Sequence, residues 1–136
     1  VNLGNVTIED LTLESAGISY LTNFKPSIYA KQIDEEFDLF KNGITVGDYQ
    51  NGNISGKYSY GKIARINESH TYAIRSIAYR SEGSTILEKD KDIVIAFRII
   101  ALDKNGAVTI LWKELNRKDG LVMKYEKKVD DETSEK

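Results

Sequence analysis

Short apolar runs alternate with clusters of Gly, Asn, Asp and Ser along the chain, and within most runs hydrophobic residues recur at every second position. A period of two marks a strand with one buried face, and turn-forming clusters mark where strands reverse. The pattern predicts strands at Val6–Leu13, Ile18–Phe24, Ile44–Val46, Ile54–Ile66, Thr71–Arg80, Ile93–Leu102 and Val108–Leu115, separated by breaks such as GDYQNGN, NESH, SEGS and DKNG. In Val6–Leu13 the alternation slips at Glu9-Asp10, where a β-bulge would restore the register.

Ile93–Leu102 is apolar on both alternating sets apart from Arg98, so a central strand covered on both faces is expected. Val108–Leu115 follows after Asp103-Lys104-Asn105-Gly106, and Asn-Gly supplies the positive φ that a tight hairpin needs. These four residues are read as a chain reversal. A calcium-gripping role for Asp103 and Asn105 lacks the ligand ladder of a helical calcium loop.

Residues 26–41, PSIYAKQIDEEFDLFK, fit two patterns. Ile33, Phe37 and Phe40 share a face if the segment is helical, with Pro26 near its start and Gly43 ending it. Phe37-Asp38-Leu39-Phe40 alternates as a strand would, and beside β-rich neighbours the strand is the preferred expectation. Residues 124–136 hold nine charges in thirteen positions and read as a charged tail or linker, leaving 1–123 as one β domain. The expected architecture is all-β, an antiparallel β-sandwich of about seven to nine strands. An open β-barrel with one short helix at 26–41 is the alternative.

Composition narrows the classes. A chain of 136 residues buries about two-thirds of its unfolded surface, and 40% hydrophobic with 29% charged residues is a globular balance. No apolar run reaches the roughly 18 residues that span a bilayer, so a soluble chain without membrane insertion is expected. Cysteine is absent, which removes disulfides, thiolate nucleophiles and sulfur-ligated metals. A net charge of −2 lacks the basic excess usual in nucleic-acid binders. The first residue is Val1, as in a trimmed or mature chain, and an extracellular or cell-surface location is favoured over the cytoplasm.

Catalytic signals are sparse. His70 is the single histidine and falls in the NESH turn, where a solvated imidazole is expected. No serine sits in the strand–turn–helix context of a hydrolase elbow, and neither glycine-rich phosphate motif is present. Asp34, Glu35, Glu36 and Asp38 provide the acids of a glycosidase, but four acids within five residues read as a solvated face. Asp48, Asn51 and Asn53 offer oxygen ligands for calcium in one loop, which Asp90 and Asp92 would have to complete; the alternative is a polar turn.

The richest segment is Gly56–Arg80, where Lys57, Lys62, Arg65, Arg75 and Arg80 interleave with Tyr58, Tyr60, Tyr72 and Tyr79 and only Glu68 opposes them, for a net charge of +4. Residues 31–48 carry −3, so charge is segregated along the chain. The plain reading is an antiparallel hairpin with cations outward and tyrosines in cross-strand pairs. The expected function is a non-catalytic binding or interaction module, such as one domain of a larger surface or secreted protein, needing no cofactor and taking a protein partner. Two alternatives use the same residues. A carbohydrate-binding module would display the tyrosines as a flat exposed strip, and a single-stranded nucleic-acid-binding β-barrel would stack bases on them while the cations meet phosphates. Trp112 is read as a core or rim residue.

Overall fold

The computed structural model describes residues 1–50, 53–83 and 90–125. The side chains of 49, 50 and 53–55 lie outside that description. In chain order the elements are β1 (Asn2–Gly4), α1 (Ser19–Asn23), α2 (Ala30–Lys41), β2 (Ile44–Gln50), β3 (Asn53–Tyr60), β4 (Thr71–Ile77), β5 (Arg80–Ser81), β6 (Lys91–Leu102), β7 (Val108–Asp119) and β8 (Val122–Met123). The fold is mostly β, as the alternation predicts, with eight strands among the described residues. A four-stranded antiparallel sheet runs in the order β1-β4-β6-β7, β2 and β3 form an antiparallel hairpin, and β5 and β8 pair in parallel. The arrangement is open rather than a closed barrel.

Cross-strand partners place Ala73, Val94 and Ala96 on the inner face of the main sheet. They form the core with Leu3, Ile8, Leu11 and Ile18. Ile8 and Leu11 come from the segment predicted as a first strand. Val6–Leu13 is instead a run of turns, with Leu11 N donating to Ile8 O. Its carbonyls are satisfied by side chains from the sheet below: Thr71 Oγ1 and Arg98 Nη1 donate to Val6 O, and Lys113 Nζ donates to Glu9 O and Leu11 O. These donors replace a strand ladder, so the segment covers the inner face without pairing.

Two further expected strands are helical. Within Ile18–Phe24 the chain forms α1, capped by Ile18 and Phe24, and Thr22 N donates to Ile18 O and Phe24 N to Tyr20 O. Seven residues with Ile18 and Leu21 three apart satisfy either period, and the helical one places Ile18 fully in the core. The preferred strand at 37–40 is likewise overturned by α2. The spacing of Ile33, Phe37 and Phe40 spans two turns of helix, whereas the strand alternation covers only four residues. Lys41 sits favourably in the last turn, and Gly43, at φ 84°, ends the helix.

Several boundaries also move. The strand expected at Ile54–Ile66 stops at Tyr60, and residues 61–70 fold back as a loop. Thr71–Arg80 divides into β4 and β5. On β6, Asp92, Val94, Ala96 and Ile99 are buried, but Ile93, Ile95 and Phe97 are half-buried, so the outer face is not covered as expected. Trp112, opposite Phe97 on β7, is 59% exposed on that face and outside the core. The β6–β7 turn forms as predicted: Gly106 has φ 87°, Gly106 N donates to Asp103 O and Asp103 N to Ala107 O. Of the expected tail, Lys124 belongs to the body, its N–H bonded to Ile28 O and its carbonyl to Ala30 N; residues 126–136 lie outside the described part. Among the described residues no helix is long and apolar enough to cross a membrane.

Candidate functional site

The tyrosine-rich segment does not form a flat exposed strip. Tyr60 is 3% exposed and donates its hydroxyl to Gly17 O at 2.6 Å, while its ring lies 4.5 Å from that of Tyr20. Tyr72 is 2% exposed, stacks on Phe97 at 5.3 Å and donates to Arg65 O. Tyr79, half-buried, donates to Ser27 O, and Tyr58 packs against the core. Each ring is drawn inward because loops and α1 occupy the space that a strand alternation alone would leave to solvent. Burial pushes the Tyr60 phenol well above its usual range, reinforced by the nearby Asp48 carboxylate. Tyr79 is raised by burial and then by Glu36.

The cations also part company. Lys57, Lys62 and Arg65 are exposed, with the Lys62 ammonium 4.8 Å from the centre of the Phe37 ring. Arg80 Nε donates to Gly120 O. Arg75 is turned into the fold, its side chain only 7% exposed, in a two-point contact with the buried Asp92: Nε to Oδ1 at 2.9 Å and Nη2 to Oδ2 at 2.7 Å. Its Nη1 donates to Leu21 O at 2.7 Å and Phe24 O at 2.6 Å. Those carbonyls lie at the end of α1, where helical partners run out. Arg75 therefore fastens α1 to the inner face of β4.

The proposed calcium loop divides as well. Asp48 lies on β2 and its carboxylate accepts from Gly17 N and Ser19 Oγ, while Asn51 and the Asn53 side chain lie outside the described residues. Asp92 is committed to Arg75, and Asp90 O accepts from Gly120 N. Among the described residues no group of three or more His, Asp or Glu side chains could hold a metal ion. Asp103 accepts from Lys104 N within its own turn. His70 is half-buried rather than solvated, its Nδ1 lying 3.1 Å from Asn2 Nδ2. Asp34, Glu35 and Asp38 are exposed along α2, whereas Glu36 accepts from Ser27 N.

What these contacts enclose is a cleft of about 530 Å³ beside β4. Tyr20 and Leu21 of α1, Phe24 just after it, and Ile33, Glu36, Phe37 and Phe40 of α2 line it, together with Gly61, Lys62, Ala64 and Ile66 of the 61–70 loop, residues of β4, and Phe97. Phe24 and Phe40 meet edge to face at 5.4 Å, which locks the two helices together. The volume falls within the range of small-ligand sites, and such sites are apolar with a few polar groups, here Glu36, Lys62 and Arg75. Five residues singled out from the sequence, Tyr60, Lys62, Tyr72, Arg75 and Tyr79, reach this cleft, whereas Lys57, Tyr58, Arg65 and Arg80 do not. The helical side was missed. Its signal was the Ile33/Phe37/Phe40 stripe, which a strand reading scatters over two faces.

Compared with known proteins, the chain matches no family model, and neither its sequence nor its fold finds a match among curated proteins or solved structures.

Proposed function

We propose that the chain is a non-catalytic binding module and that the cleft between β4, α1 and α2 is where it holds its ligand. The observation that carries this reading is the aromatic and aliphatic lining of a 530 Å³ cleft that stays open to solvent at Phe37, which is 51% exposed, and Ile74, which is 43% exposed. Apolar side chains left wet in a concavity are stabilised when a ligand removes them from water, by about 25 cal/mol per Å² of apolar area covered. A cleft suits an apolar ligand. The inward tyrosines favour it over a flat sugar platform, and the inward Arg75 favours it over a continuous cationic groove.

An apolar reporter dye, anilinonaphthalene sulfonate, tests the assignment. Its emission should rise on mixing with the folded chain and fall back when Phe37→Gln removes one exposed wall at little cost to the fold. No enhancement, or enhancement indifferent to Phe37→Gln, would count against the cleft.

A further inference from the structure

We infer that the outer face of the main sheet packs on the same face of a second copy of this chain, in a two-fold dimer centred on Trp112. Ala73, Val94 and Ala96 point into the core, so alternation sends Ile74 of β4 and Ile93, Ile95 and Phe97 of β6 to the opposite face. Directly opposed residues share a face, which adds Trp112 across from Phe97, Ile110 across from Ile99, and Val108 across from Leu102. Loop 61–70 covers Tyr72 and Ile99: Tyr72 donates its hydroxyl to Arg65 O, and Ser69 N donates to Ile99 O. Ile74, Leu102, Val108, Ile110 and Trp112 stay exposed, and Ile93, Ile95 and Phe97 half-buried. Ile74 and Phe97 also border the cleft, whereas the β7 residues do not.

Area and charge identify the occupant. With a large apolar side chain counted as about 150–250 Å² in full, the wet part of this face amounts to roughly 500 Å². A homodimer interface takes about 800 Å² from each partner, about two-thirds of it apolar, so the face carries what one half of such an interface holds. A patch with net charge would repel its own copy, but the charges on this face of β6 and β7 occur as internal pairs, Glu114 with Arg117 at 2.9 Å and Lys91 with Asp119 at 2.6 Å. The chain's remaining residues are poor covers. Residues 126–136 hold one apolar side chain, Val129, among eight charges. Residues 84–89 are tied at Gly83 and at Asp90, next to the start of β6, and a six-residue segment held at both ends extends by about 10 Å. Phe97 and Trp112 stand about 20 Å along β6 from Lys91. A second sheet packed about 10 Å away would supply the layer that this face lacks.

The test uses the full chain, whose single tryptophan is Trp112. Sedimentation equilibrium should give about twice the single-chain mass of 15.3 kDa. Trp112 emission should move to longer wavelength as water reaches the indole when the dimer dissociates, on dilution or in Ile110→Lys. That substitution, at a position already exposed in one chain, should raise the dimer dissociation constant about 100-fold or more, because two-fold symmetry places it in the interface twice. Ile63→Lys is the control: Ile63 is more exposed still but follows Lys62, which is bonded to the end of α2 through Phe40 O, and the change should leave the dimer intact.

A single-chain mass at concentrations up to about 1 mM, where even weak association is visible, would overturn the inference. So would a dimer whose dissociation leaves Trp112 emission unmoved, or one that Ile63→Lys weakens as much as Ile110→Lys does. If Ile110→Lys unfolds the chain, the mass and emission of the unaltered chain still decide.

Discussion

Asp92→Asn changes one atom in the ion pair that holds α1 against the sheet, and its cost can be worked from the structure. The wild-type carboxylate is 2% exposed and meets Arg75 at two points, with Lys118 Nζ 3.9 Å away as a weaker neighbour. Asparagine keeps the volume but leaves a buried guanidinium without its counter-charge and turns Lys118 into an uncompensated neighbour. Removing one partner of a buried pair costs about 3–5 kcal/mol, against a total stability of about 5–15 kcal/mol for a domain. In urea, at a slope of roughly 2 kcal/mol per M, the unfolding midpoint should fall by about 2 M. The control lies one residue away on β6: Lys91 pairs with Asp119 at 2.6 Å, but Asp119 is half exposed, and Lys91→Ala should cost less than about 1 kcal/mol. Replacing both members, Arg75→Met with Asp92→Leu, should recover part of the loss but not all, because Leu21 O and Phe24 O lose their donor. A loss below about 1 kcal/mol in Asp92→Asn, matching the surface pair, would refute the claim that this contact anchors α1.

Other outcomes follow from single contacts. Gly106→Val places a β-branched residue at φ 87°, with open space around the new side chain, so its cost of about 1–3 kcal/mol should be backbone strain alone; an unchanged melting temperature would contradict the turn. The raised Tyr60 phenol keeps its proton after the same tyrosine in the unfolded chain has lost its own near pH 10. In that window the folded state binds more protons, so stability should fall as pH rises above about 10, by at most about 1.4 kcal/mol per pH unit for this group. Tyr60→Phe should flatten that dependence while losing about 1 kcal/mol at neutral pH with the Gly17 hydrogen bond, as alkaline denaturation curves would show.

The legible parts of the fold are those decided by near neighbours. β6, β7 and their turn are specified by alternation and by Asn105-Gly106, all within one short stretch. Val6–Leu13 shows the opposite case. Its alternation is strand-like, yet Thr71, Arg98 and Lys113, 65 to 104 positions away, supply the hydrogen bonds that let it cover the sheet unpaired. Arg75 shows why the site was only half visible. As a letter it joined a row of cations, and only Asp92 and the end of α1, 17 and 51 to 54 residues distant, turn it inward. The aromatic wall contributed by α2 was hidden by a four-residue alternation inside a longer helical stripe.

Amide chemical shifts recorded on the labelled full chain during titration with anilinonaphthalene sulfonate test the central claim most directly. Occupation of the cleft predicts saturable shifts gathered at Leu21, Phe24, Phe37, Phe40, Ile74 and Ile77. Shifts centred on Trp112 and β7, or on Lys57 and Arg65, or no shifts at all, would contradict it.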